Sequence, residues 1–537
     1  MNRIITASLV ALATSVNVTD LAAQASYQEL FSDVGIGMEG TVRVFAYADG
    51  STVVQQWSDT LDLLFTRFDA SGAPIWRRSV NAGVQAAGAP PMAKTPDGGF
   101  LVAAVRTTLF PGDSCLTDIT KFNSAGATEW SKSVVVEANF GSSAQGPMTI
   151  ACNSNGDIFL ANLVAGIGSY VTKFSPAGVA VWTRHITDPD IETGIDQSFR
   201  IEALDDGGCI FLGEGWYTNT FAIGRLDATG APLWMKMFTY DALSAYFDNI
   251  RIVPYPDGEY IITAQLSMTN VGPYAFVARI DPNGTWLASD LYEYEHDYML
   301  PLFQGIQEDN GNLLLTGGYF PMANAHCTRI GNNGQVISAL QTRTAVTGAV
   351  KHQVYYLPND IANDSLHMTG ALTSYDTVFG TEDYTALLWK SAPDMSGLCA
   401  LDPINVAHLS VPAALMLSED VGAVQPITLP TIPFAVTNTA YPVPSTSTFC
   451  GLVGITETPS PVQFLIVPNP VSRGTGLSIT AETNGVVEVL DALGRLVRRA
   501  TVTQGSLTLT APSVAGWYCV RYVPTRGAAV VKHIVVE

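Results

Sequence analysis

One turn signature is repeated seven times along this chain of 537 residues. The best copies end in tryptophan and occupy residues 67–76, 121–130, 173–182 and 225–234, and weaker copies occupy 279–284, 329–334 and 390–397. The intervals between the glycines that all copies share are 54, 52, 52, 54, 50 and 63 residues. Such regularity indicates a repeat architecture in which each copy forms one supersecondary unit. The shared glycines are Gly72, Gly126, Gly178, Gly230, Gly284, Gly334 and Gly397.

A second turn signal precedes this signature in every copy. It is Asp-Gly or Asn-Gly in the first six copies and Asn363-Asp364 in the seventh. Between apolar runs these pairs predict β-hairpins with type I′ turns, in which both central residues have positive φ. Four short strands in about 50 residues are typical of one propeller blade. We therefore predict an all-β chain with a seven-bladed β-propeller over residues 26–400, with six or eight blades as the alternatives.

The seventh copy contains three strands, but no apolar fourth strand follows Gly397. The segment Tyr27 to Phe31 resembles the fourth strand of the first copy, Trp76 to Val80, because an aromatic residue stands four positions before a second apolar one. We predict that this N-terminal strand closes the last blade, since closure removes an exposed sheet edge. The repeated tryptophans are expected to pack between blades rather than to bind a ligand.

The regions outside the repeats predict export and a second domain. Residues 1–25 resemble a signal peptide, with Arg3, a 13-residue mostly apolar stretch over 4–16 and small residues at 23–25. Neither that stretch nor any later one is long enough to span a bilayer, so no integral membrane span is expected. Residues 401–461 hold nine prolines and predict a Pro-rich connector, in which stretches such as 427–437 have the composition of strands beside the propeller. Residues 462–537 predict a small β-sandwich.

Four motifs follow one another in this last region. They are Pro468-Asn469-Pro470, the stretch from Asp491 to Val497 that includes Gly494 and Arg495, Gly516-Trp517-Tyr518, and Lys532 to Val536. In kind and order they resemble the type A C-terminal sorting domain of the type IX secretion system of Gram-negative bacteria. The resemblance implies export by the general pathway, recognition by the type IX machinery at the outer membrane, and removal of the domain. The expected location is therefore secreted or on the cell surface, with the cargo released or anchored there.

A second resemblance concerns the repeat itself. Residues 226–234 are similar to the tryptophan-docking repeat of quinoprotein (PQQ) propellers. The quinoprotein enzymes also carry an adjacent cysteine pair, which this chain lacks, so the resemblance implies packing and no cofactor is expected. The seven cysteines are isolated from one another. Cys399 ends the last blade and Cys450 lies towards the end of the connector, and a disulfide between them would attach the connector to the propeller.

Charge and topology limit the kinds of ligand that can be expected. With 27 basic and 48 acidic residues the net charge is −21, which disfavours nucleic acid as a partner. If both tight turns of each blade lie on one rim, which we call the turn rim, the longer loops lie on the opposite rim, where function is expected. That loop rim combines aromatic rings with carboxylates, which suit a surface glycan or another extracellular ligand, or Ca²⁺. The candidate ligand-binding residues are Asp188, Asp190, Trp216, Tyr240, Tyr292 and Tyr294.

The sequence contains no complete catalytic motif. We therefore predict a non-catalytic binding or adhesion protein. The alternative is an extracellular polysaccharide-acting enzyme, a hydrolase or lyase, that uses carboxylates of the loop rim. A solvated acidic rim without a ligand would also account for these residues.

Overall fold

The computed structural model describes residues 27–32, 36–58, 63–81, 90–107, 115–136, 147–164, 168–187, 198–214, 219–240, 245–255, 258–268, 271–294, 304–308, 311–317, 326–342, 345–347, 350–355, 359–362, 365–376, 382–391, 401–411, 416–420, 423–433, 436–440, 445–448, 464–467, 471–481, 484–491, 495–503, 505–524 and 530–536. The chain divides into two compact units, residues 1–453 and 454–537. Every element in the described ranges is a β-strand, which confirms the all-β prediction. None of these ranges contains a helix long and apolar enough to cross a membrane.

The strands of the first unit form seven antiparallel sheets, which we call blades 1 to 7. Strand β1 (Tyr27–Ser32) belongs to blade 7. Blades 1 to 3 contain β2 (Ile36–Ala46), β3 (Thr52–Ser58), β4 (Leu63–Phe68) and β5 (Pro74–Asn81), then β6 (Met92–Lys94), β7 (Phe100–Thr107), β8 (Cys115–Phe122) and β9 (Thr128–Val136), then β10 (Pro147–Cys152), β11 (Ile158–Val164), β12 (Gly168–Phe174) and β13 (Ala180–Thr187).

Blades 4 to 6 follow the same order. They contain β14 (Ser198–Ala203), β15 (Cys209–Glu214), β16 (Thr220–Leu226) and β17 (Pro232–Tyr240), then β18 (Ala245–Pro254), β19 (Tyr260–Met268), β20 (Val271–Ile280) and β21 (Trp286–Tyr294), then β22 (Gln304–Gln307), β23 (Leu313–Gly317), β24 (His326–Ile330) and β25 (Val336–Thr342). Blade 7 contains β26 (Ala345–Thr347), β27 (Val350–Tyr355), β28 (Asn359–Ala362), β29 (Ser365–Asp376) and β30 (Glu382–Ser391).

The blades form a closed ring. The first strands of blades 2 to 6 contact one another in chain order, and β28 of blade 7 contacts both β22 of blade 6 and β2 of blade 1. A shared core joins blades 1 and 2, in which the rings of Phe65 and Phe100 lie 5.1 Å apart. The first strands therefore surround a central channel, and each sheet buries both faces against its neighbours.

Strand β1 completes blade 7. It pairs antiparallel with β30, with Tyr27 opposite Lys390 and Phe31 opposite Ala386. This is the fourth-strand position that the sequence pattern predicted. The last blade is thus assembled from strands at opposite ends of the repeat region.

The segment predicted to be a connector instead adds an outer strand to every blade. We call residues 401–448 the belt. Its strands pair in turn with blades 6, 5, 4, 3, 2, 1 and 7, so the belt runs around the ring against the order of the blades. They are β31 (Leu401–Pro403), β32 (Val406–Val411), β33 (Met416–Asp420), β34 (Ala423–Ile427), β35 (Thr431–Pro433), β36 (Thr437–Ala440) and β37 (Ser445–Thr448).

The connector prediction was therefore wrong, and the prolines on which it rested fit the observed sheets. An outermost strand pairs on one side only, so it tolerates a residue that has no N–H group. Pro403, Pro426 and Pro433 lie within such outermost strands, opposite Leu340, Arg184 and Lys132 of their respective blades.

The first hairpins also differ from the predicted type I′ turn. Gly50 has a φ of 78°, but Asn249 is the one non-glycine residue with positive φ in the described ranges. The Gly50 N–H donates to the Tyr47 carbonyl at 2.8 Å, and Tyr47 N–H donates to the Ser51 carbonyl at 2.9 Å. This is a type I turn followed by a left-handed glycine. Asp49 is suited to it because its Oδ1 accepts the Ser51 N–H at 2.9 Å.

The second unit has two antiparallel sheets and its own core. Buried residues of both sheets, such as Ile479 and Val520, belong to one hydrophobic cluster. One sheet has the order β38-β39-β42 and the other β41-β40-β43-β44. The strands are β38 (Phe464–Val467), β39 (Gly476–Ala481), β40 (Gly485–Leu490), β41 (Leu496–Val502), β42 (Gly505–Thr510), β43 (Gly516–Pro524) and β44 (Val530–Val536).

Candidate functional site

Three of the six candidate ligand residues of the loop rim are among the described residues, and these three do not form an exposed site. Asp188, Asp190 and Trp216 lie outside the described residues. Tyr240 and Tyr292 are buried strand residues, with 5% and 0% of their surface exposed. The prediction that these two rings are exposed anchors was wrong.

The belt explains why Tyr292 and its neighbour Tyr294 are covered. Tyr292 pairs with His408 of β32, and the two rings stack with centroids 5.2 Å apart. The Tyr292 hydroxyl donates to the Gly334 carbonyl at 2.8 Å, and the half-buried Tyr294 hydroxyl donates to Thr328 Oγ1 at 2.9 Å. Burial raises the pKa of both phenols. Both side chains therefore connect blades 5 and 6.

Ion pairs occupy the turn rim of blades 1 to 6. In each of these blades a cation near the end of the third strand binds a carboxylate of the first hairpin. In blade 2, burial alone would raise the pKa of Asp97, but hydrogen bonds from Lys121 and Thr95 outweigh it and hold that pKa below its usual value. The pairs are Arg67–Asp49 (3.2 Å), Lys121–Asp97 (2.5 Å), Lys173–Asp157 (2.8 Å), Arg225–Asp206 (2.7 Å), Arg279–Glu259 and Arg329–Glu308 (2.6 Å).

The repeated tryptophans connect neighbouring blades on the same rim, which is the packing role that the sequence predicted. Each indole N–H donates to a carbonyl in the second tight turn of the next blade. The shared glycine of that turn lies against the ring: a Cβ on Gly178, whose φ is 72°, would be 2.9 Å from Trp130. The bonds are Trp76 to Ser124 (3.1 Å), Trp130 to Pro176 (3.2 Å), Trp182 to Ala228 (3.0 Å) and Trp234 to Pro282 (2.8 Å).

A different cluster lines the central channel. Arg43, Arg200 and Arg251 lie on the first strands of blades 1, 4 and 5, opposite Gln55, Leu212 and Thr263. In all three blades this is the fourth residue pair from the first hairpin, so the side chains stand at one level of the ring. We call these three residues the channel arginines.

Two of the channel arginines, Arg43 and Arg251, interact electrostatically. Blades 1 and 5 are not neighbours, yet the charge of Arg251 acts on Arg43. Burial lowers the pKa of Arg43 to about 10, and Arg251 lowers it in the same sense. Among the described residues, the buried Arg43 Nε has no hydrogen-bond partner. Arg43 therefore remains charged at neutral pH, and Arg251 of a non-adjacent blade lies close enough across the ring to act on it.

A carboxyl group lies beside them. Glu202 stands two residues after Arg200 on β14. Burial raises the pKa of Glu202 to about 7, although the positive charges of Arg251 and Arg200 act against this shift. Near neutral pH this carboxyl group is therefore only partly ionised, with the charges of Arg251 and Arg200 acting on it.

The sequence contained a signal for this site. Each channel arginine precedes the glycine of its first hairpin, Gly50, Gly207 or Gly258, by seven residues. The loop-rim hypothesis overlooked this position because it considered loops and not the first strands. The described ranges contain no group of three or more His, Cys, Asp or Glu residues that could hold a metal ion.

The motif residues of the second unit have identifiable contacts. Arg495 closes the turn between β40 and β41. Its side-chain Nε lies 2.8 Å from Asp491 Oδ2, and its backbone N–H donates to Asp491 Oδ1. Gly516 begins β43, where Tyr518 donates its hydroxyl to the Val514 carbonyl at 2.9 Å. Lys532 lies on β44 opposite Val520. The remaining motif residues, Pro468, Asn469, Pro470 and Gly494, lie outside the described residues.

The proposed disulfide also falls outside the described residues, because neither Cys399 nor Cys450 is among them. Cys152, Cys209, Cys327 and Cys519 are free thiols. Burial raises the pKa of Cys152 to about 12, which makes its reactive thiolate scarce at neutral pH.

No protein-family model and no curated protein matches this sequence. Solved structures with a similar fold exist at low identity. A protein of unknown function from Dyadobacter fermentans is 11% identical, with a TM-score of 0.35, over 67% of this chain and 100% of its own. An ulvan lyase bound to -[GlcA(1-4)Rha3S]- is 12% identical, with a TM-score of 0.42, over 68% and 95%. The WD40 domain of Toxoplasma gondii coronin is 10% identical, with a TM-score of 0.38, over 69% and 87%.

Proposed function

We propose that this chain is an exported, non-catalytic binding protein whose propeller holds a small anionic group in its central channel. The channel arginines carry the proposal. The ligand class is a carboxylate, sulfate or phosphate, either free or as the acidic group of a surface glycan. This replaces the loop-rim tyrosines as the predicted binding residues.

The chemistry of guanidinium groups supports an anion. Each presents a planar fork of donors that matches two oxygens of a carboxylate or oxyanion. The charge of Arg251 acts against that of Arg43, and an anion bound between these two side chains would offset that repulsion. Each charge-assisted hydrogen bond contributes about 1.5–3 kcal/mol, so loss of one arginine should be measurable.

Binding is tested by calorimetric titration of the full-length mature protein with sulfate, phosphate and glucuronate. The variants Arg43→Gln and Arg251→Gln should weaken binding at least tenfold, because each removes one fork of donors. The control is Arg184→Gln, on the turn rim, which should bind like the parent. A parent protein that binds none of the three anions at millimolar concentration would contradict the proposal.

We further propose that the second unit is a type IX sorting domain and that the protein is secreted or held at the cell surface. Its support is the motif order in the sequence, together with a compact unit that has its own hydrophobic core. Deletion of residues 462–537 should leave the propeller folded and retain it in the periplasm. Fractionation that finds the truncated protein in the medium or on the cell surface would refute the assignment.

Glu202 favours a second candidate, a polysaccharide-acting enzyme. A carboxyl group with a pKa of about 7 can donate or accept a proton at neutral pH. If the protein cleaves acidic polysaccharides, Glu202→Gln should abolish release of reducing ends while anion binding persists. Equal activity in parent and variant would exclude Glu202 as the catalytic acid or base.

A further inference from the structure

Blade 5 lacks the indole that four other blades carry. In blade 1, Trp76 pairs with Arg67 across the third and fourth strands. The corresponding partner of Arg279 in blade 5 is Ala288, an exposed residue. Trp286 does not replace the missing ring, because it packs against Phe238 with ring centroids 5.1 Å apart, on the side of blade 4.

The missing indole leaves a pocket between blades 5 and 6, which we call the Ala288 pocket. Its volume is about 180 Å³, and an apolar cavity of about 150 Å³ is enough to bind benzene. Its walls correspond position by position to those around Trp76. The pocket is lined by Tyr255, Arg279, Leu313, Ile330 and Gly334. The residues at the corresponding positions beside Trp76 are, in the same order, Tyr47, Arg67, Phe100, Phe122 and Gly126.

The polar groups of an indole site are also present. The indole N–H of Trp76 donates to the carbonyl of Ser124, the second residue of its turn. Asn332 is the second residue of the corresponding turn in blade 6, and it lines the pocket. Arg279 stands at the edge of the pocket, 5.6 Å from the Tyr255 ring centre, where it can face a second ring.

Other side chains hold blades 5 and 6 together, so the pocket can stay open. Asp290 occupies the position that Arg184 has in blade 3. His408 joins it to blade 6, because His408 Nε2 lies 2.8 Å from Asp290 Oδ1 and His408 Nδ1 lies 3.0 Å from Gln335 Nε2. Tyr292, which lies on the same strand as Asp290, donates its hydroxyl to the Gly334 carbonyl of blade 6. Asn332 and Asn333 are exposed, which places the mouth of the pocket at the protein surface.

We propose that the Ala288 pocket binds a tryptophan side chain of a partner polypeptide, which takes the place of the indole that blade 5 lacks. The ring would lie against Leu313 and Gly334, with its N–H directed at the Asn332 carbonyl. This inference is independent of the channel arginines, because the pocket is on the turn rim between two blades.

The test uses N-acetyl-tryptophanamide as the probe and ligand-observed NMR with the full-length mature protein. The parent should bind, and Ala288→Trp, which supplies the missing indole internally, should weaken binding at least tenfold. Ile75→Trp adds an exposed indole on blade 1 and should bind like the parent. Ala288→Leu fills the same space and replaces Ala288→Trp in the binding test if the tryptophan variant does not fold.

A second arm establishes the ring chemistry. Trp234→Ala opens the corresponding gap between blades 4 and 5 and should add a second probe site. N-acetyl-leucinamide should bind at least tenfold more weakly than the tryptophan probe. A parent that does not bind the tryptophan probe at millimolar concentration, or unchanged binding in Ala288→Trp and Ala288→Leu, would overturn the proposal.

Discussion

Lys173 contacts two blades at once: its ammonium group pairs with Asp157 of blade 3 and donates to the Gly207 carbonyl of blade 4, each at 2.8 Å. Such residues of the turn rim hold neighbouring blades together, and their recurrence in the repeat made this structural role predictable. Tyr292 was not predictable in the same way. Its covering partner, His408, lies 116 residues later in the sequence, in a strand that belongs to no repeat.

At the residue scale, Glu202 makes a pH prediction. The pKa of its carboxyl group is about 7 in the folded protein, above its ordinary value of about 4.3. The folded state therefore binds more protons between these values, and stability falls as pH rises from about 4.3 to 7. Glu202→Gln, which mimics the protonated form, should equal the parent near pH 4 and exceed it by about 1–3 kcal/mol above pH 7.5.

Urea unfolding of parent and Glu202→Gln at several pH values measures this difference. Glu293→Gln, at an exposed position of β21, provides the control for loss of a charge. A stability difference between parent and Glu202→Gln that does not change with pH would contradict the raised pKa.

At the element scale, the blade strands were predictable, whereas the path of the belt around the ring was not. Strands β10 to β13 follow one another through short turns, so apolar runs and turn residues mark each of them locally. A belt strand such as β35 has three residues, all exposed, and pairs with β9 almost 300 residues earlier. Its sequence carries no apolar alternation, because its stability comes from the edge that it covers.

The belt predicts different results for two truncations. A chain that ends at residue 453 keeps every belt strand and should unfold thermally like the parent propeller. A chain that ends at residue 400 loses one strand from each blade and exposes the outer edges, which promotes edge-to-edge aggregation. Circular dichroism melting and light scattering would distinguish them. Equal melting temperatures and no aggregation would mean that the belt contributes nothing to the ring.

At the scale of the whole molecule, the chain closes the ring twice in blade 7. The blades run forward from blade 1, and the belt runs back from blade 6 to blade 1 before reaching blade 7. Strand β1 is the point at which both circuits meet, because it pairs with β30 on one side and with β37 on the other. The missing fourth strand of the seventh copy and the pattern of residues 27–31 predicted the first closure, whereas the second depends on the belt.

This arrangement makes β1 more important than its six residues suggest. A mature chain that starts at residue 33 instead of residue 26 loses both sets of pairings. Each backbone hydrogen bond contributes about 0.5–1.5 kcal/mol net, so the loss should be on the order of 5 kcal/mol. In addition, β37 loses its partner and the edge of β30 is exposed. Chemical denaturation should therefore show a large drop in unfolding free energy, and a synthetic peptide of residues 26–33 should restore part of it by pairing with β30. Unchanged stability in the shortened chain would show that blades 1 and 7 hold the ring closed without β1.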